Sequence, residues 1–279
     1  MKRILLAIDA VNPNVSTMEF ACYLGRLTKS KLTGVFLEPA AQPQQAVACA
    51  QQSNGYMDWV LGPQSSDQQV NSGIIEKSIF NFQQGCIKRE VNYMLHRGHG
   101  LPAQQMISES RYADIIVTGA ETSFNKNYEG CPTTFVRDLL KKAECPVVIA
   151  PENFEDVDEI IFAYNGTSSA MFAMKQFTYL FPQLYNKNVH IVQVNETGQW
   201  PAHDRSELKI WLKQHYINFT FEAIQGEAGT GLFNYLLNRK NIFLVMGAYG
   251  RNFLSQFFYP SQADHLIQIV TQPIFIAHV

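Results

Sequence analysis

The chain closes each of its halves with the same succession of elements, and this repetition restricts its architecture more than any other feature. Residues 113–149 read ADIIVTGAETSFNKNYEGCPTTFVRDLLKKAECPVVI, and residues 241–276 read NIFLVMGAYGRNFLSQFFYPSQADHLIQIVTQPIFI. Each has an apolar strand running into Gly-Ala, a polar loop, an amphipathic run of helix length, then X-Pro and a short apolar strand. The spacing from Gly to Pro differs by one residue (Gly119 to Pro146, Gly247 to Pro273). The beginnings of the halves agree as well. KRILLAIDA (2–10) matches DEIIFAYNG (158–166), apolar strands closing on Asp9 and Asn165, with small polar residues after each. Similarity over a whole domain length, not over a period of about 20–50 residues, indicates tandem domains and not a solenoid.

A chain of 279 residues holds two domains of ordinary size. We place them at 1–151 and 152–279, with an acidic linker carrying Glu152, Glu155, Asp156 and Asp158. Hydrophobic residues make up 46% of the chain and charged residues 16%, against about 25% charged in an average domain. Apolar surface is therefore expected to be buried between the halves or in a larger assembly. The net charge of −2, with no basic run longer than Lys141-Lys142, leaves no electrostatic footprint for nucleic acid. The N-terminal apolar stretch is a strand and too short for a signal peptide, and no segment reaches the ~18 apolar residues of a membrane span. The cysteines (22, 49, 86, 131, 145) are odd in number and lack C-x-x-C spacing, which fits buried thiols in a reducing cytoplasm.

Apolar runs and helical spacing alternate throughout. Strands are expected over 3–8, 32–38, 90–97, 114–119 and 146–150, and again over 159–164, 188–195, 218–224, 242–247 and 273–277. Helices are expected between them, near 16–29, 70–88, 102–111 and 133–143, then 168–181, 204–216, 230–239 and 261–271. Strictly alternating strands and helices imply an α/β fold with parallel sheets covered on both faces. Right-handed crossovers favour two doubly wound five-stranded sheets, each in order 3-2-1-4-5. The short, apolar last strands (146–150, 273–277) are edges that should be covered where the halves meet. Residues 39–73 have no counterpart in the second half; with eight Gln, three Pro and Trp59 they form an insertion that packs on its own domain or serves as a lid or partner surface.

The second-half loop carries the chemistry. Gly247-Ala-Tyr-Gly250 is followed by nine residues and then by Pro260-Ser261, which open a helix. Glycines let the backbone approach phosphates, and a Ser at a helix N-terminus adds a hydroxyl where the dipole favours negative charge. This pattern resembles the nucleotide-binding fingerprint of the universal stress protein family: Gly, two residues, Gly, nine residues, Gly, then Ser or Thr. The family's domain is a five-strand, Rossmann-like unit of the adenine nucleotide alpha hydrolase type, and tandem copies are one of its forms. The resemblance implies that Met246 and Gly247 flank adenine and ribose, that Val194 presents its backbone to the base, and that Gly250 and Ser261 hold phosphates. Asn165 would take the place of the usual Asp near base and ribose. Pro260 replaces the third Gly and removes an N–H donor.

The first half keeps Asp9 and Gly119, but Thr122 stands at the second Gly and Thr133-Thr134 replace Gly-Ser, with Thr134 expected to cap the following helix. The resemblance thus implies a cytoplasmic adenine-nucleotide-binding stress-response module, with ATP as cofactor, magnesium as its possible companion, and an intrachain pseudo-dimer or a homodimer as its assembly. No base or nucleophile converges on either loop, so turnover beyond slow ATP hydrolysis is not expected. Two alternatives stay open: a nucleotide-dependent transferase or hydrolase, and a ligand-free interaction protein with relic loops. His96-x-x-His99 reads as two surface histidines in preference to a metal site.

Overall fold

A computed structural model describes residues 1–39, 66–98, 100–125, 127–237, 239–247 and 272–277, with the backbone alone over 66–71. The insertion from 40 to 65, the helix expected near 261–271, Gly250, Pro260, Ser261 and His99 lie outside the described residues.

In the first half, β1 (Arg3–Asp9) is followed by α1 (Val15–Thr28), β2 (Lys31–Leu37), α2 (Ser66–Lys88), β3 (Tyr93–Arg97), α3 (Pro102–Ser110), β4 (Ile115–Gly119), α4 (Thr134–Lys142) and β5 (Val147–Ala150). The second half runs β6 (Glu159–Ala163), α5 (Ser168–Leu180), β7 (Asn188–Asn195), α6 (Ala202–Leu212), β8 (Asn218–Gln225), α7 (Ala228–Leu236), β9 (Ile242–Gly247) and β10 (Ile274–Ala277). Local chemistry sets the limits of these elements. Asn14 caps α1 by accepting the Thr17 amide at 2.9 Å, and Lys29 stops the helix in the left-handed region at φ 51°. The helix expected to 216 ends at Leu212, because the chain then turns to bury Tyr216 and bond its hydroxyl to Thr178 at 2.8 Å.

The strand order is β3-β2-β1-β4-β5-β10-β9-β6-β7-β8. Each half keeps the order 3-2-1-4-5, and pairing within each half is parallel. The expected two five-stranded sheets are joined edge to edge: β5 and β10 pair antiparallel, with Phe275 opposite Val148, so all ten strands form one sheet. The physical reason is that both are short apolar strands with an unpaired side, and each satisfies the other's open hydrogen-bond edge.

Both faces of the sheet carry a buried layer that crosses this joint. One contains Ile4, Phe20 and Phe36 together with Phe162, Phe243 and Phe275; the other contains Leu5, Val35 and Ile149 together with Ile161, Leu244 and Ile274. Phe20 of α1 meets Phe243 of β9 at a centroid distance of 6.2 Å, and Phe154 between the halves packs edge-on against Phe20 at 4.9 Å. Burying a side chain of this size stabilises by roughly 1.5–3 kcal/mol, so the joint is part of the core.

Candidate functional site

In an open α/β sheet, ligands settle at the carboxyl ends of strands where the strand order reverses. Here that place falls between β6 and β9 in the second half and between β1 and β4 in the first.

In the second half the fold brings Asn165, Val194, Met246 and Gly247 to the ends of three neighbouring strands, in the order β9-β6-β7. Each then shows a local role. The Asn165 side-chain oxygen accepts from the Thr167 amide at 3.1 Å and the Thr167 hydroxyl at 2.7 Å. Thr167 in turn caps α5 by accepting the Ala170 amide at 3.3 Å, and Gly166 between them takes φ +81°. Val194 turns its side chain onto α7, where a methyl on Gly231 would lie 2.6 Å from Val194 Cγ1. Met246 is buried. Gly247 has no room for a side chain: a Cβ there would stand 2.7 Å from the Ala170 nitrogen and 2.8 Å from the Ser169 oxygen. This Gly is required by the first turn of α5, whatever ligand lies beyond it.

The mouth of this region holds residues that the sequence did not single out. Tyr164 stacks on Trp200 at 5.8 Å, and its hydroxyl lies 3.5 Å from the Asp204 carboxylate. Burial, with the Asp204 charge added, pushes the Tyr164 phenol above its ordinary range. The only hint in the sequence was the aromatic character of the two residues, which alternation alone assigns to core.

The first half shows the same arrangement with an open cleft of ≈ 290 Å³ at the switch point, lined by Asp9, Asn12, Asn14, Thr17, Glu121, Thr122 and Asn125 among others. Asp9 Oδ1 accepts the amides of Val11 at 2.9 Å and Asn12 at 3.1 Å, matching the turn built by Asn165. Gly119 repeats the packing role of Gly247 more mildly, since its Cβ would meet the Thr17 hydroxyl at 2.9 Å.

The cap of α4 differs from expectation. Thr133 is the N-cap, accepting the Val136 amide at 3.3 Å and donating its hydroxyl to the Thr122 carbonyl. Thr134 is one residue inside the helix, so its groups are not needed for the cap. They are held by Glu129, whose carboxylate accepts the Thr134 hydroxyl at 2.6 Å, the Thr134 amide at 3.2 Å, the Ser123 hydroxyl at 3.0 Å and the Asn125 side-chain amide. Burial would raise the Glu129 carboxyl, but these hydrogen bonds outweigh it and hold the group below the usual carboxylate range.

Elsewhere, His96 pairs through Nδ1 with Glu109 at 2.9 Å. Among the described residues no cluster of three metal-ligating side chains occurs, and no helix is long and apolar enough to cross a membrane.

No family profile matches the chain. A universal stress protein of Synechocystis sp. is 23% identical over 164 residues, which is 58% of this chain and 56% of that relative, so the match spans about half of the relative's length. Among solved structures, a universal stress protein from Archaeoglobus fulgidus superposes with a TM-score of 0.68, covering 99% of this chain and 98% of its own at 14% identity. A functionally unknown protein from Pseudomonas aeruginosa PAO1 gives 0.59, covering 100% and 92% at 11% identity. The α/β fold of the archaeal protein thus extends over nearly all of this chain, and the sequence resembles that of a universal stress protein over more than half of it.

Proposed function

We propose that this chain, which has the fold of a universal stress protein along nearly its whole length, is a tandem member of that family and works as an adenine-nucleotide-responsive binding module without efficient turnover. Its two units are 1–151 and 152–279, joined as an intrachain pseudo-dimer. The observation that carries this reading is the convergence of Asn165, Val194 and Gly247 on one switch point, with Asp9 and Gly119 converging on the equivalent point of the first half, where a polar cleft stands open. Backbone groups at the ends of neighbouring parallel strands suit the edge of a base and a ribose, and a following Gly-containing loop suits phosphates. ATP or another adenine nucleotide, accompanied by magnesium, would bind chiefly in the second half, through Met246, Gly247, Gly250 and Ser261.

One observation favours a second reading. Gly247 and Gly119 both have packing reasons to be glycine, which is what a ligand-free interaction protein with relic loops would also keep. Mass spectrometry of ligand released from undialysed protein, followed by ATP incubation with magnesium, separates the possibilities. Bound adenine nucleotide with less than one turnover per site over an hour is expected. Steady multiple turnover would make the chain an enzyme, and absence of binding at millimolar nucleotide would leave the interaction protein.

A further inference from the structure

The two donors of Thr134 at the start of α4 are the groups a phosphate would use, and both are taken by a carboxylate of the same loop. Glu129 receives four hydrogen bonds there, from the Thr134 hydroxyl (2.6 Å) and amide (3.2 Å), the Ser123 hydroxyl (3.0 Å) and the Asn125 side chain. Arg137 adds a positive charge at the same spot, donating from Nη2 to the Thr134 hydroxyl oxygen at 2.9 Å. Four converging donors and a guanidinium form an anion site, and its occupant belongs to the chain. The loop is held in this arrangement independently of the carboxylate, since Phe124 packs edge-on against Phe135 of α4 at 4.9 Å and Thr133 ties the helix cap to the Thr122 carbonyl. The equivalent stretch of the second half, 248–260, contains no Asp or Glu and carries Arg251 instead.

The adjoining cleft of ≈ 290 Å³ shares Ser123 and Asn125 with this anion site. Among the described residues, its charged lining side chains are Asp9 and Glu121, both acidic. Asp9 uses Oδ1 for the amides of Val11 and Asn12, while Oδ2 has no hydrogen-bond partner among the described residues and is available to a hydroxyl donor. A phosphate entering here would meet the Asp9 and Glu121 carboxylates and find the Thr134 donors next to the cleft already used by Glu129, whereas an uncharged molecule rich in hydroxyl and amino groups would find acceptors.

We propose that the Glu129 carboxylate is a tethered substitute for a phosphate group, and that the first cleft therefore takes an uncharged nucleoside and turns its phosphorylated forms away. The nucleoside part rests on the adenine-binding reading above; the role of Glu129 does not. The two halves then differ in kind, the second suited to an anionic nucleotide and the first to its dephosphorylated counterpart.

The test follows the Thr134 amide in ¹H–¹⁵N spectra of the full chain, in the wild type, Glu129→Ala and Glu129→Gln, titrated separately with orthophosphate, ADP and adenosine. Expected is a wild-type Thr134 amide indifferent to orthophosphate, with at least tenfold tighter orthophosphate binding at that amide in both variants. Adenosine should bind the wild-type first cleft at least tenfold more tightly than ADP, and that preference should be lost once Glu129 is removed; equal affinities in the wild type would overturn the exclusion of phosphorylated forms. A wild-type Thr134 amide that responds to orthophosphate as strongly as the variants do, or variants that gain nothing, would overturn the role of Glu129. If neither adenosine nor ADP moves amides around Asp9 in any form, the nucleoside assignment fails, while the orthophosphate series still decides whether Glu129 occupies an anion site.

Discussion

Gly247 and Ala170 are in direct backbone contact: a methyl group on the glycine would stand 2.7 Å from the Ala170 nitrogen. Backbone cannot rotate away as a side chain can, so the contact fixes how closely α5 lies on the end of β9. Gly247→Ala should therefore destabilise by about 3 kcal/mol, the upper part of the range for overpacking. Gly119→Ala meets only the Thr17 and Thr122 hydroxyls, at 2.9 and 3.3 Å, and should cost about 1 kcal/mol. Urea midpoints at unchanged slope measure both. Equal costs, or the reverse order, would show that the contact with α5 is not what requires Gly247.

Gly34 in β2 faces the ring of Phe82, whose Cζ would lie 2.9 Å from an added methyl. Phe82→Ala should cost about 3–5 kcal/mol by opening a cavity, and Gly34→Ala about 1–3 kcal/mol by overpacking. In the double variant the methyl has room, so the combined cost should fall short of the sum by about 1 kcal/mol or more. Strict additivity would mean that the pair does not share this space.

Phe275 is fully buried opposite Val148 and packs against Phe177 at a centroid distance of 5.4 Å. Because the buried layers continue across the β5–β10 joint, the chain should unfold in one transition, with far-ultraviolet circular dichroism and tryptophan fluorescence superimposing. Phe275→Ala should lower stability by about 3–5 kcal/mol and move both probes together. A split transition in the wild type would count against a shared core.

Acid should weaken the fold through Glu222. Burial would raise this carboxyl, but hydrogen bonds from Tyr235 at 2.7 Å and His190 at 2.8 Å, together with the charges of His190 and Arg239, hold it below its ordinary range. A depressed carboxylate contributes stability that is present above its unfolded pKa of about 4.3 and lost as pH falls through the lower folded value. Glu222→Gln should reduce stability at neutral pH and flatten the decline below about pH 4. Chemical denaturation across pH 2–7 reads this directly, and an acid limb of unchanged steepness in the variant would remove Glu222 as its source.

The alternation of buried strands with amphipathic helices was legible in the sequence because parallel strands covered on both faces are continuously apolar, as RILLAID in β1 and IFLVMG in β9 both are. The strand-end positions of Asp9, Asn165 and Gly247 could be read for the same reason. The partner of each last strand could not, because an apolar run says that a strand is buried and not which strand lies beside it; VVIA and IFIA carry no register signal of their own. At α4, two consecutive threonines left the cap ambiguous by one residue, and only backbone geometry assigns it to Thr133. Glu129 had no local pattern to mark it. It lies five residues before Thr134 across an irregular loop, outside any helical or strand spacing that brings side chains together.

The antiparallel meeting of β5 and β10 has a directional consequence. Every strand of the first half runs parallel to β5 and every strand of the second half runs parallel to β10, so the carboxyl ends of the two sets point in opposite directions. The two switch points therefore open at opposite rims of one continuous slab. A body seated over the Asp9 rim leaves the Asn165 rim bare, and the chain can present two different edges to its surroundings at once.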